Sequence, residues 1–253
     1  MKRLTLMAAL SLLSALLLAC SPAVVTPPPV EATTITVLDD MDREITLSRN
    51  PQRIVSLAPS TTEILFAIGV QERVVGVTSI CVYPPEAQNI PNIGDYFEPS
   101  VETIISMNPD VVFADGLHKE TVEQLDALDI PAVVLYPQTI ADIFDNIRLV
   151  GETVGADDEA EAVVAEIMGT FDEVAEKLSV IKDEDRPVVF WEVWSDPIWT
   201  AAKWNTINEL IEMAGGINMA GDVDATYIEY SFEMLLIKDP EVIFYGHAVE
   251  TVE

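Results

Sequence analysis

The chain has 253 residues, 49% of them apolar and 22% charged, a composition that belongs to folded globular proteins and excludes a disordered one. Its 43 Asp and Glu against 13 Lys and Arg give a formal charge of −30 at pH 7, which excludes nucleic acid as a partner because phosphate binding needs a basic face. The acidity itself leaves three readings open: a cationic ligand, a salty habitat or a solubilising surface.

At the start, Lys2 and Arg3 precede an uncharged apolar run over residues 4–18, which ends in Leu17-Leu18-Ala19-Cys20. The run is too short and wrongly flanked for a membrane-spanning helix. It resembles a bacterial lipoprotein signal, with Leu18 bulkier than is usual there. Residues 1–19 are then a signal peptide, and Cys20 is the lipidated first residue of the exported chain. A non-lipidated secretory signal or a retained anchor is the alternative. Residues 20–34 are rich in proline and cannot pack as helix or sheet, so they read as an extended tether between membrane and body. Cys81 has no partner in such a chain, which excludes a disulfide framework.

Residues 35–138 read as a first α/β lobe. Residues 34–47 alternate as two strands around an Asp-rich turn. The apolar run after Pro51 and Gln52 (RIVSL) is a buried strand. Ser60-Thr61-Thr62-Glu63 has the S-x-x-E form of a capping box, which would make Glu63 structural, and Gly69 would stop that helix. Residues 74–78 form a second strand. A long loop follows over residues 79–99, and a loop of that length inside a compact lobe is usually functional. Ser100 caps a short helix with Glu102 in its first turn, where the helix dipole favours negative charge. A strand (110–114), an amphipathic helix (119–128) and a strand (132–136) complete the lobe. This alternation predicts an α/β fold with mainly parallel sheets.

Residues 139–186 read as a helical linker. A first helix covers residues 139–154. A longer one, over residues 157–181, carries an apolar stripe at spacings of three and four, and at roughly 1.5 Å per residue it reaches from one lobe to the next. Residues 187–253 begin a second lobe with a strand (188–194), an aromatic loop (194–204) and a helix (206–214). All four tryptophans lie in or beside that loop, and exposed tryptophans are costly unless something covers them. The chain then repeats itself. EPSVETIISMNPDVVF, ending at Phe113, recurs as EYSFEMLLIKDPEVIF, ending at Phe244, with six identities at one offset that carries Ser100 to Ser231 and Glu102 to Glu233. So long a period is a duplicated lobe, not a solenoid. In the first lobe a helix and a strand follow this unit; the second lobe stops after it, so we expect that lobe to be truncated.

Two α/β lobes, one long helix between them and a lipid tether together resemble the helical-backbone (class III) substrate-binding proteins of ABC importers for cobalamin, haem and ferric siderophores. The resemblance covers the chain from Thr34 and rests on RIVSLAPSTTEILFAIG, VVGVTSICVYPPEA, PNIGDYFEPSVETIISMNPDVVFA and VVFWEVWSDPIWTAAKWNTINELIEMAGGIN in order. It implies an exported, monomeric, non-enzymatic protein that hands a small metal chelate to a permease and its ATPase. It also implies that Glu102 and Glu233 dock into arginines of the permease, where a carboxylate meets a guanidinium bidentately. The alternative is that both are ordinary helix-start charges, and the residues alone leave the two readings open.

The ligand is expected between the lobes, against Ile80, Cys81, Tyr83, Tyr96 and Phe97 on one side and Trp194, Trp199, Trp204 and Tyr227 on the other. A large flat ligand such as a corrin would cover those rings. The absence of a basic cluster favours a corrinoid over haem or an anionic ferric chelate, although Arg43, Arg53 and Lys203 are individually available. No resident cofactor and no bare metal site is expected, because His118 and His247 are too few for one. Neither G-x-S-x-G nor H-E-x-x-H occurs, and Asp39, Asp40 and Asp42 depart from the EF-hand spacing, so an exported enzyme is the distant alternative beside a tethered sensor.

Overall fold

The computed structural model describes residues 34–246. Strands β1 (Thr34–Leu38) and β2 (Glu44–Ser48) form the expected antiparallel hairpin. Its turn is fastened by buried Asp39, which accepts from the Met41 and Arg43 N–H groups and pairs with the Arg43 guanidinium at 2.7 Å.

The first lobe is a parallel sheet in the order β4-β3-β5-β6, from β3 (Ile54–Ser56), β4 (Val74–Val77), β5 (Val111–Asp115) and β6 (Ala132–Leu135). The period of two along each strand sends alternate side chains to opposite faces. Ile54, Val111, Phe113, Val133 and Leu135 share one core cluster with Leu65, Ile147, Val150 and Val164. Val55, Val112, Ala114, Ala132 and Val134 share the other with Ile104, Val122 and Leu125. Helices therefore cover both faces: α1 (Pro59–Ala67), α4 (Ile140–Val154) and α5 (Asp157–Leu178) on one, α2 (Val101–Ser106) and α3 (Lys119–Asp126) on the other. Both faces being buried explains the continuous apolar runs.

The capping box expected at Ser60 and Glu63 is not formed. The helix starts earlier, with Ala58 as a cap that makes no side-chain bond and Pro59 in the first turn, because proline's fixed φ suits that position. Ser60 is already inside the helix. A capping box is present instead at α4, where Thr139 and Asp142 exchange bonds with each other's backbone.

Helix α5 is shorter than expected, 22 residues ending at Leu178. Ala160 and Val164 near its start belong to the first-lobe core, and Leu178 at its end packs beside Gly215 of the second lobe. The second sheet runs β10-β8-β7-β11 from β7 (Val188–Ser195), β8 (Ile198–Ala201), β10 (Tyr227–Glu229) and β11 (Val242–Tyr245), with β9 (Ile217–Asn218) also on β7. It is mixed: β9 and β11 lie parallel to β7, while β8 and β10 are antiparallel. The stretch expected as an aromatic loop is largely the β7–β8 hairpin. Helices α6 (Thr206–Met213) and α7 (Phe232–Lys238) complete the described part of the lobe.

The two copies of the repeat occupy the same structural place. The first supplies α2 and then β5, which lies parallel to β3; the second supplies α7 and then β11, which lies parallel to β7. Among the described residues no helix is long and apolar enough to cross a membrane.

Candidate functional site

A cavity of about 540 Å³ lies between the lobes. Its first-lobe wall is built where parallel strands end: Ser60 follows β3, Asp115 and Gly116 close β5, and Leu135 and Tyr136 close β6. Open parallel sheets leave a crevice at their carboxyl ends, where neighbouring crossovers diverge to opposite sides. Here β3 connects outward to β4, and β5 connects to β6 on the other side.

Tyr96 joins this wall from the long loop, which is stitched back to β4 by Ile93 N–H to Val77 O (2.9 Å) and Ser79 N–H to Gly94 O (2.9 Å). The Tyr96 phenol donates to Asp115 Oδ2, and the other carboxylate oxygen, Oδ1, accepts from Leu117 N–H at 2.9 Å. Behind them His118 is buried, 1% exposed. Its Nε2 lies 2.7 Å from Tyr96 O and must be the donor, since a carbonyl only accepts. Its Nδ1 lies 2.9 Å from Asp115 Oδ1 and 3.1 Å from Asp115 N. A protonated ring donates to the carboxylate; a neutral one accepts from the backbone N–H.

Burial works against the charged imidazole, but the hydrogen bonds to Asp115 and Tyr96 and the Asp115 charge outweigh it and raise the His118 pKa above its ordinary value. For Asp115, burial alone would raise the pKa, and the bonds from His118, Tyr96 and Leu117 N–H outweigh it and hold the carboxyl below the usual range. Burial, together with the Asp115 hydrogen bond and charge, pushes the Tyr96 phenol well above an ordinary tyrosine. The wall thus presents a neutral phenol and an ionised carboxylate.

The second-lobe wall consists of Trp204, Asn205, Thr206, Thr226 and Tyr227. Trp204 donates its indole N–H to Asp224 Oδ1 at 2.5 Å, with Lys203 Nζ 4.5 Å from its ring centroid. Asn205 caps α6 by accepting from Ile207 N–H at 2.9 Å. Glu209 on α6 accepts from Ile140 N–H at 2.7 Å, tying the start of α4 to the second lobe. Of the charged side chains, Asp115 is the one that lines this cavity among the described residues; no lysine or arginine does.

Of the residues expected around a ligand, the cavity gathers Tyr96, Trp204 and Tyr227. Cys81 is a correction: it is 2% exposed in the first-lobe core, with its thiol 3.2 Å from Thr78 Oγ1, because the short turn after β4 folds it inward. Ile80 and Tyr83 are exposed and do not border the cavity, and Phe97 turns away to a separate groove beside Leu117 and Lys119. Trp194 and Trp199 face each other across the β7–β8 hairpin, whose pairing carries both outside the cavity. Trp191 is partly buried and stacks on Phe244 with ring centroids 5.1 Å apart. Sequence reasoning missed Asp115, Tyr136 and Asn205. The available signal was their position just after a parallel strand or before a helix.

Glu102 and Glu233 are exposed in the first turns of α2 and α7 and do not line the cavity. Burial raises the pKa of Glu63. Cys20, the signal and tether segments and His247 lie outside the described residues. Among the described residues no group of three or more His, Cys, Asp or Glu is placed to hold a metal ion.

The family described as "Periplasmic binding protein" matches residues 54–248. An uncharacterized ABC transporter substrate-binding lipoprotein of Bacillus subtilis, YvrC, is 30% identical over 83% of this chain and 68% of its own length. The vitamin B12-binding protein of Vibrio campbellii is 29% identical over 76% of this chain and 70% of its own. In three dimensions the periplasmic heme-binding protein RhuT of Roseiflexus sp. RS-1 superposes with a TM-score of 0.69 at 31% identity, covering 77% of this chain and 76% of that one. The vitamin B12-binding protein BtuF of Vibrio cholerae, at 24% identity and a TM-score of 0.67 over 78% and 76% of the two chains, shows the same fold. The chain belongs to the periplasmic binding protein family, as a substrate-binding protein of the ABC-importer class.

Proposed function

We propose that this protein captures a corrinoid between its lobes and delivers it to a permease and its ATPase. In this reading it acts by binding rather than catalysis, as an exported monomer held at the membrane through Cys20, with Glu102 and Glu233 as its docking carboxylates. The observation that carries the ligand choice is the cavity wall, in which Tyr96, Tyr136, Trp204 and Tyr227 stand around one carboxylate, Asp115, with no lysine or arginine lining it among the described residues. Aromatic faces suit a broad, partly apolar macrocycle. An ionised carboxylate accepts hydrogen bonds from amide N–H groups, which a corrin carries at its rim. The carboxylates of haem and the oxygens of an anionic ferric catecholate would meet Asp115 without a guanidinium or ammonium partner. The vitamin B12-binding relatives agree with this choice, while the likeness to RhuT makes haem the alternative.

Titration with cyanocobalamin, haemin and a ferric hydroxamate, followed by calorimetry and tryptophan fluorescence, tests the reading. Cyanocobalamin should bind one to one and quench Trp204. Should it give neither heat nor quench while haemin or the hydroxamate saturates, the corrinoid assignment falls and the importer class stands.

A further inference from the structure

The duplicated unit is reproduced down to its hydrogen bonds. Ser100 and Ser231 cap α2 and α7 by accepting from Thr103 N–H (3.2 Å) and Met234 N–H (3.1 Å). Asn108 and Asp239, at matching positions, follow the two helices in the left-handed region, with φ of 46° and 45°. A proline comes next in each copy, and then an acid. Asp110 Oδ2 accepts from Gln52 N–H (2.7 Å) and Arg53 N–H (2.9 Å). Glu241 Oε2 accepts from Val188 N–H (2.7 Å).

Strand register shows that these bonds are equivalent. Ile54 pairs with Val111, and Val189 pairs with Val242, so Arg53 and Val188 occupy the same place in their lobes. The counterpart of Gln52 is Pro187, which has no N–H to give, and the second lobe accordingly makes one bond where the first makes two. The same staple is thus built from different residues, Asp in one copy and Glu in the other.

We propose that Asp110 and Glu241 are matched positioning residues, which hold α2 and α7 at a set height and tilt so that Glu102 and Glu233 meet the two halves of the permease as a preset pair. This rests on the reading of those glutamates as docking groups. The physical need is plain, since helices of six and seven residues do not hold their own shape. A serine fixes one end of each, and the left-handed corner with its charged staple fixes the other. Preset geometry spares the ordering that docking would otherwise require. The lobes are not equally braced. Arg53 also donates Nε to Met107 O (2.7 Å) and Asn108 O (3.1 Å) at the end of α2, whereas Val188 has no polar side chain to do the same for α7. Loss of Glu241 should therefore loosen its helix more than loss of Asp110.

The test uses the full chain and the permease–ATPase complex of its own importer in nanodiscs. Asp110→Ala, Glu241→Ala, Asp110→Asn, Glu241→Gln and the pair Glu102→Ala/Glu233→Ala are compared for complex affinity and for hydrogen exchange over residues 100–106 and 231–238. Glu241→Ala should weaken the complex about tenfold and speed exchange in α7, with a smaller effect for Asp110→Ala. The amide variants keep an acceptor oxygen and should recover most of the affinity. Exchange in the cores, read at residues 54–56 and 189–192, beyond the stapled amides of Arg53 and Val188, should stay as in the wild type, which separates a tilted helix from an unfolded lobe. Wild-type affinity for both Ala variants, with a weakened Glu102→Ala/Glu233→Ala pair, overturns the positioning role and leaves docking intact. Wild-type affinity for that pair as well removes the docking reading and this inference with it.

Discussion

Removing His118 should uncouple the first-lobe wall of the cavity, and the loss should depend on pH in a way that identifies its charge state. The ring is buried and reaches Asp115 Oδ1 at 2.9 Å and Tyr96 O at 2.7 Å. His118→Ala forfeits one hydrogen bond to a charged group, worth about 1.5–3 kcal/mol, and one neutral bond worth about 1 kcal/mol. It also leaves a void, so a destabilisation of roughly 3–5 kcal/mol is expected, within the stability of an ordinary domain. The folded pKa of His118 lies above its ordinary value of 6.5, so its contribution is complete below about pH 6.5 and is lost as pH rises through the folded value. Asp115 is shifted the other way: its contribution is present above its ordinary 3.8 and is lost as pH falls through its depressed folded value. The stability gap between wild type and His118→Ala should therefore be widest between roughly pH 4 and 6.5 and should narrow towards pH 9. Urea unfolding of both proteins at half-unit pH steps measures it. A gap that stays constant from pH 5 to 9 would refute the ion pair and leave the neutral ring, accepting from Asp115 N–H, as the only bonded form.

Two further outcomes follow from the same geometry and from the anchor reading. Gly116→Ala places a Cβ 2.5 Å from Tyr136 Cδ2 and 2.8 Å from its Cε2, so the ring must swing away; cyanocobalamin affinity should fall about tenfold with the melting temperature little changed, and an unaltered titration would show that this wall does not touch the ligand. Cys20→Ala should release the protein into the soluble exported fraction without changing cyanocobalamin affinity measured on the body, if, as the sequence reading has it, the Pro-rich residues 20–34 separate anchor from fold; finding the variant still in the membrane fraction would point to a retained helix anchor.

How far the sequence could be read depended on the range of each interaction. The α/β alternation, the two repeat copies, the caps at Ser100 and Ser231 and the long α5 are local: each is written within one or two helical turns or within a strand's period. The false capping box shows the limit of local reading, since Ser60 and Glu63 have the right spacing but the helix begins at Pro59, two residues too early for Ser60 to cap it. The aromatic cavity wall was half legible. Composition drew attention to Trp194, Trp199 and Trp204 together, yet hairpin pairing of β7 with β8 left only Trp204 facing the cavity.

The cavity wall itself was decided only by tertiary structure. Tyr96, Asp115 and His118 sit on a loop, a strand end and a helix cap, and the carboxylate becomes a site only because parallel strand order places it opposite the loop stitched to β4. Likewise, nothing in the spacing of Asp110 from Gln52, or of Glu241 from Val188, announces a hydrogen bond; strand register creates both. Sequence alone determined most of the helices and the first-lobe strands, though not the β7–β8 hairpin, and that one helix–strand unit was written twice, because short-range backbone preference and hydrophobic period settle those choices. Which side chains meet depends on how the sheets stack their elements, and that is settled by long-range packing.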